Sequence, residues 1–307
     1  KREQQLFLQS ALPEDLEQIY ISLINAHAKY KPEWMVISVM DAKTGDVLGS
    51  ASTPSFDPNV KNITNYENPL AAYLFEPGST MKIFTYMCAM ETGKYDGDKT
   101  YLSGKYQIGE DTVKDWNGYG WGTINYDLGF EYSSNVAIAN ILNTILSKDE
   151  LKECFHKYGF DEITGIELGR ELSSTLNFKY QIEVANAGFG QGILTTPIQH
   201  LQALSIIANN GKMLKPHIVE KIVNSNTGQT TYQREIQETE TLVSKETIKK
   251  IKELMFNVVN NNNEGTTGKR YYIEGLDIIG KTGTAQIYDD KHGGYLTGDN
   301  DYIYSFS

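Results

Sequence analysis

Glu76-Pro77-Gly78-Ser79-Thr80-Met81-Lys82 is the stretch whose reading decides the rest of the chain. Gly78 marks a turn. The apolar run behind it (Met81, Ile83, Phe84, Tyr86, Met87, Cys88, Met90) predicts a helix over 79–91, buried on most sides and ending near Gly93. If Ser79 opens that helix, the i, i+3 spacing puts its hydroxyl and the Lys82 amine one turn apart on one face, at the positive end of the helix dipole. A hydroxyl beside an amine is a nucleophile beside a base. Ser-x-x-Lys arises by chance about once in a chain of this length, so its company must decide.

Working outward, Leu16, Ile19, Tyr20, Leu23, Ile24 and His27 recur at helical spacing after Pro13, and Pro32 closes that helix, with His27 read as a packed core histidine. Trp34–Met40 and Asp46–Ser52 read as strands joined by a turn at residues 41–45. A second apolar helix is predicted over 133–146. Thr196-Pro197 caps another that runs to Asn209, with Gly211 as its stop, and Ser244 caps Lys245–Asn260, whose Ile248, Ile251, Leu254, Met255 and Val258 face one way. The polar tract Asn260–Gly268 reads as a surface loop. Leu276–Gly280 feeds as an apolar strand into Lys281–Gln286, and Tyr302–Phe306 begins another strand. Strands, many helices and strands again predict an α+β fold, a helical block inserted into one antiparallel sheet, without internal repeats.

Composition narrows the function. The chain has 307 residues, 40% hydrophobic and 22% charged, enough apolar material for one large domain or two smaller ones. A net charge of −11 argues against a nucleic-acid groove or a general affinity for anionic lipid. No run of about 18 apolar residues is present, so nothing in the sequence reads as a membrane span. Cys88 and Cys154 show neither metal-ligand spacing nor a disulfide framework and read as small buried hydrophobes. No cofactor or metal is implied.

Two further elements accompany the first. Ser133-Ser134-Asn135 opens the second apolar helix; a hydroxyl there can relay a proton and an amide can orient the lysine or hold a substrate amide, although a capping serine is also a sufficient reason for the pattern. Lys281-Thr282-Gly283 lies at a strand edge, where a lysine and hydroxyls beside a glycine make a seat for a carboxylate-bearing acyl donor. Lys43-Thr44-Gly45 repeats the letters, but inside a polar turn. Gly188–Gly192 has the look of a phosphate loop without the strand and acidic residue a dinucleotide site needs, and reads as a packed loop near the site. Trp116 and Tyr119 read either as cleft aromatics or as core.

Ser-x-x-Lys, Ser-x-Asn and Lys-Thr-Gly in this order, together with Asp115-Trp116-Asn117, Gly190-Gln191-Gly192, Thr196-Pro197-Ile198-Gln199 and Gly280–Gln286, resemble the transpeptidase domain of a monofunctional class B penicillin-binding protein, most similar to the cell-division type of Gram-positive bacteria. The resemblance covers nearly the whole chain. It implies the penicillin-binding and serine β-lactamase-like fold, with Ser79 attacking the D-Ala-D-Ala carbonyl of a peptidoglycan stem peptide and an amine from a neighbouring stem resolving the acyl-enzyme. It implies Lys82 as base, its pKa lowered by partial burial and by the charge of Lys281, Ser133 as proton shuttle, and Asn135 as holder of the substrate amide. Lys281, Thr282 and Thr284 would bind the terminal carboxylate, with Gly283 and Trp116 on the substrate, and the backbone N–H groups of Ser79 and Thr284 would form the oxyanion hole.

The resemblance further implies β-lactams as acylating ligands, no nucleic acid, and a glycosyltransferase and division-complex membrane proteins as partners. It implies a place on the extracytoplasmic face of the bacterial plasma membrane. Residues 1–307 read as a transpeptidase domain lacking its last strand and C-terminal helix, without the family's membrane anchor and pedestal domain, of which Lys1–Ser10 could be a remnant. A serine β-lactamase would need a water-activating glutamate that no sequence context supplies. A β-lactam-sensing or scaffold domain with little turnover is the other alternative.

Overall fold

The computed structural model describes residues 13–55, 59–289, 291, 293–298 and 300–307. Two compact units divide the chain: the first draws on Lys1–Leu74, Glu162–Ser173 and Thr196–Glu240, the second on Phe75–Asp161, Ser174–Thr195 and Thr241–Ser307. Along the chain come α1 (Pro13–Tyr30), β1 (Met35–Met40), β2 (Val47–Thr53), α2 (Pro69–Ala72), a 3₁₀ turn (Gly78–Met81), α3 (Lys82–Glu91), β3 (Thr100–Leu102), β4 (Lys105–Ile108), β5 (Asp111–Lys114) and β6 (Thr123–Asn125). Then follow α4 (Tyr126–Glu131), α5 (Asn135–Thr144), α6 (Lys148–Lys157), α7 (Gln181–Gly188), α8 (Pro197–Ala208), β7 (Lys221–Val223), β8 (Thr230–Gln233) and α9 (Lys245–Asn260). A 3₁₀ turn (Lys269–Tyr271), β9 (Thr282–Gln286), β10 (Tyr288–Asp289), β11 (Gly294–Tyr295) and β12 (Tyr302–Phe306) complete the order.

In the first unit, β1 and β2 pair antiparallel with Ile37 opposite Ala51, and Ser38 and Ser50 share a hydroxyl hydrogen bond of 3.0 Å. Val47, Leu70, Ala71, Ile166 and Ile198 form its buried cluster. Helix α8 starts as its sequence dictates: the Thr196 hydroxyl accepts from Gln199 N, the Gln199 side chain accepts from Thr196 N, and Pro197 takes the first turn. Lys43-Thr44-Gly45 is indeed turn geometry. Asp41 Oδ1 accepts from the backbone of Lys43 and Thr44 at 2.8 and 2.9 Å, and Gly45 adopts φ +79° against the Lys215 carbonyl.

The α1 stripe is narrower than the periodicity predicts. Leu23 is fully buried, but Tyr20 and Ile24 are 45% and 39% exposed and His27 is only half-buried, so it is not a core histidine. The Leu16 and Ile19 side chains, and the Lys1–Ser10 stretch, lie outside the described residues.

Helix α3 runs through the core of the second unit. Ile83, Phe84, Tyr86, Met87 and Ala89 have no exposed surface, and Gly93 follows at φ +69°. Phe84 packs edge-on against Phe160, which in turn packs edge-on against Phe155, while Tyr86 meets Phe130. Ser244 caps α9, and the predicted face of Ile248, Ile251, Leu254, Met255 and Val258 is buried throughout.

Three expectations change. Cys88 and Cys154 are joined in a disulfide that ties α3 to α6 across 66 residues. Sequence spacing gives no hint of this, because only the packing of the two helices brings the thiols together. Residues 276–280 form no strand, and Leu276 is 56% exposed; the strand runs from Thr282, one residue after the Lys281–Ser307 backbone pair. The strands of the described residues pair as two-stranded antiparallel ladders rather than as one sheet, and both β9–β12 and β4–β5 lie beside the site residues described next.

Candidate active site

The site lies within the second unit. The 3₁₀ turn places Ser79 three residues before the start of α3, and the Lys82 N–H closes that turn on the Ser79 carbonyl. The turn is held from three sides. Gly78 N donates to Gly190 O at 2.9 Å, so the glycine-rich 188–192 loop is a packing loop, as its sequence context predicts. Gly78 itself has φ +59°, and a Cβ there would lie 2.6 Å from Thr284 O and 3.0 Å from Thr284 N. On the third side, Thr80 Oγ1 and Ser305 Oγ donate to Pro77 O. Just upstream, the buried Glu76 accepts from Gly192 N and Tyr295 OH, both at 2.9 Å; burial pushes its carboxyl up, and those two bonds oppose the shift.

Lys82 and Lys281, with no exposed surface, meet at Ser133. Lys82 Nζ donates to Ser133 O at 2.6 Å, Asn135 Oδ1 at 2.7 Å and Ser133 Oγ at 3.3 Å. Lys281 Nζ donates to the same Ser133 Oγ at 2.8 Å and to Thr282 O at 3.2 Å. Burial is complete, where the sequence reading expected it to be partial, and it pushes Lys82 down to about 7, with the Asp115 carboxylate opposing. Burial, then the neighbouring Lys82 ammonium, holds Lys281 well below the usual lysine range. Two ammonium groups on one hydroxyl oxygen in a dry site repel, so one of them sheds its proton readily. A neutral Lys82 can spend its two N–H groups on the two short bonds and still have a lone pair. Ser79 Oγ, half-buried, is not among the bonded partners of Lys82, whose reach goes to Ser133 and Asn135 instead.

Ser133 sits in an uncommon backbone state. Helix α4 ends in a Schellman motif: Ser133 N donates to Phe130 O, Ser134 N donates to Gly129 O, and Ser133 occupies the left-handed position at φ +59°. Glycine is the usual residue there, and an L side chain costs about 1 kcal/mol or more. The sequence reading had Ser133 open the next helix. Ser134 does so, its hydroxyl accepting from Ala137 N, while Ser133 belongs to the turn. Asp115, 2% exposed, fixes the far side, Oδ1 accepting from Ser134 Oγ and Val136 N and Oδ2 from Gly104 N.

The β9 edge follows from ladder alternation. Lys281 and Ser307 exchange both backbone bonds, so with Thr282 opposite Phe306 and Thr284 opposite Tyr304, Thr282 and Thr284 turn their N–H and C=O groups away from β12. The reach of Lys281 Nζ to Thr282 O agrees. Thr284 is exposed and Thr282 half-buried.

Two sequence assignments need correction. Gly283 is buried, and a Cβ on it would strike Ser305 Oγ and Pro77 O; it lets the Ser79 turn, rather than a substrate, approach the strand. Lys281 is not an exposed carboxylate seat, because its Nζ is spent on Ser133 and Thr282 O. Trp116 is 64% exposed and Tyr119 83%, which removes core packing as their explanation; Trp116 Nε1 donates to Tyr132 O at 3.0 Å, beside Ser133. Glu131 and Asp115 are buried carboxylates to which the sequence reading gave no role. No local signal marks Glu131, and Asp115 stands out only as part of Asp115-Trp116-Asn117, since the partners of both are remote in the chain.

Residues 35–307 match the penicillin binding protein transpeptidase domain. The chain belongs to this family. It is 33% identical over 293 residues to stage V sporulation protein D of Bacillus subtilis, covering 92% of this chain and 44% of that protein. It is 30% identical over 291 residues to a probable peptidoglycan D,D-transpeptidase, PenA, of Neisseria flavescens, covering 91% and 68%. Penicillin binding protein 3 of Mycobacterium tuberculosis, solved in complex with aztreonam, superposes with a TM-score of 0.85 at 26% identity, covering 96% of this chain and 67% of that one. The fold expected from the motifs is thus the fold found. The chain spans under half the length of the sporulation protein and about two thirds of PenA. In this penicillin-binding domain the three motifs converge on Ser133, which both motif lysines reach.

Proposed function

We propose that this chain is the serine D,D-transpeptidase part of a class B penicillin-binding protein, cross-linking peptidoglycan stem peptides and acylated by β-lactams. The observation that supports it most is the pair of fully buried lysines sharing Ser133 Oγ at 3.3 and 2.8 Å, one of which, Lys82, follows Ser79 by one turn. Ser79 Oγ bonds to the penultimate D-Ala carbonyl carbon as its proton passes to Lys82 Nζ and the carbonyl electron pair moves onto oxygen. The N–H groups of Ser79 and Thr284 receive that oxyanion. Collapse breaks the C–N bond, and the departing D-Ala nitrogen takes a proton through the Ser133 hydroxyl, which the two lysines resupply. In the second half an acceptor amine attacks the ester, loses its proton to the same relay, and Ser79 leaves as a hydroxyl.

Thr282 and Thr284 bind the substrate carboxylate, Asn135 its amide, and Trp116 lines the approach. The Cys88–Cys154 disulfide supports a site outside the cytosol, where disulfides persist, and so the extracytoplasmic face of the plasma membrane. The substrates are nascent or lipid-linked stem peptides, and the partners a glycosyltransferase and membrane proteins of a septal wall-building complex. The test is labelling by a fluorescent penicillin: the wild type should form a stable adduct at Ser79, and Ser79→Ala should form none while remaining folded. Labelling that persists in Ser79→Ala overturns the assignment of the nucleophile. Release of the penicilloyl group within seconds, rather than hours, makes the chain a β-lactamase, and an acylating chain that never turns over stem peptide makes it a sensor.

A further inference from the structure

Ser133 keeps a left-handed backbone without being glycine, so something must hold it there. Two residues upstream, the Glu131 side chain is 4% exposed and turned into the protein. Its carboxylate collects neutral donors from the 261–266 segment: Asn261 Nδ2 to Oε2 at 3.0 Å, Asn263 Nδ2 to Oε1 at 2.9 Å, and Thr266 Oγ1 to Oε1 in a short bond. Thr267 Oγ1 donates to the Glu131 carbonyl at 3.4 Å. Gly265 lies flat on Tyr132, where a Cβ would come within 2.6 Å of the ring. The tract that reads as a surface loop is therefore a strap across the last turn of α4. A buried carboxylate with no bonded cation among the described residues demands all of these donors, which makes the geometry specific.

We propose that Glu131 is a positioning residue for the Ser133 hydroxyl. By binding Asn261, Asn263 and Thr266 it locks the end of α4, so that Ser133 Oγ stays between Lys82 and Lys281. The inference rests on the transpeptidase reading of this site and adds to it a group that touches neither substrate nor lysine. Asp115 holds the other side of the same turn through Ser134 and Val136, so Ser133 is clamped between two buried carboxylates.

The test measures the rate constant of acylation and the prior non-covalent affinity for a chromogenic β-lactam, in the full-length protein, with thermal unfolding as a control. Glu131→Gln keeps the shape but replaces one acceptor oxygen with a donor facing donors. It should lower the acylation rate constant about 10- to 100-fold, as a small displacement of the relay does, and leave the affinity unchanged. Asn263→Ala, which removes one strap donor and leaves the carboxylate, should give a smaller loss of the same kind. The loss should disappear in a Ser133→Gly background, where no hydroxyl remains to be positioned and the backbone rests in its left-handed state unaided. Glu131→Gln acylating at the wild-type rate, or losing the same factor in the Ser133→Gly background as outside it, overturns the proposal. So does a loss in affinity alone. If the wild-type chain is never acylated, the transpeptidase reading fails with it; if only the variants behave otherwise than stated, Glu131 alone is reassigned.

Discussion

Ser133 shows what a single position is asked to do. Its backbone state suits glycine and its proposed role needs a hydroxyl, and the chain keeps the hydroxyl. Ser133→Gly and Ser133→Ala should therefore both slow acylation by about 10²- to 10⁴-fold. The glycine variant should be the more stable of the two by about 1 kcal/mol, since only alanine retains the left-handed penalty; denaturant unfolding of the pair measures the difference. Lys82 makes a second residue-level prediction. Its folded pKa, about 7, lies below that of the unfolded chain, so the unfolded state binds more protons and stability rises with pH above 7. Between pH 7 and 9 the rise from this lysine should be about 2 kcal/mol, and Lys82→Met should flatten it. The same deprotonation makes the acid limb of acylation fall away below about pH 7.

At the scale of elements, the ladder register sets which strand atoms are free. Thr284 N–H is not used by β12, so Thr284→Pro removes the proposed oxyanion donor while leaving every β9–β12 bond in place. The expected outcome is a loss of about 10²- to 10³-fold in acylation with the fold retained, read by labelling kinetics and circular dichroism. Helices α3 and α6 are pinned by Cys88–Cys154. Closing a 66-residue loop contributes about 4 kcal/mol in the chain-entropy account, so unfolding of a Cys88→Ala/Cys154→Ala double variant should occur at clearly lower denaturant. The helices themselves were legible: Ser134, Thr196 and Ser244 cap as their types require, and the α9 stripe is buried where the period puts it. The 276–280 strand was not, because a short apolar run has no periodicity of its own and Leu276 found no face to cover.

On the scale of the whole molecule, the disulfide is also a compartment marker. Protein isolated from the extracytoplasmic side should take up no alkylating label under denaturing conditions, and protein made in a reducing cytosol should take up two, which intact mass measures. Order along the chain was enough to single out Ser79, Lys82, Ser133, Asn135 and Lys281 as candidates, and folding brings Lys82, Ser133, Asn135 and Lys281 into hydrogen-bond contact. Tertiary structure alone decided how those residues are used. Lys281 reads in sequence as an exposed cation and is in fact buried against Ser133; Gly283 reads as room for substrate and is room for Pro77. Glu131, Asp115 and the Cys88–Cys154 pair have partners many residues away, and a chain carries no local record of what long-range packing will place beside a buried carboxylate or thiol. Sequence fixes which groups are available and their local geometry. Burial and long-range contacts, which exist only once the chain has folded, set their charge and their aim.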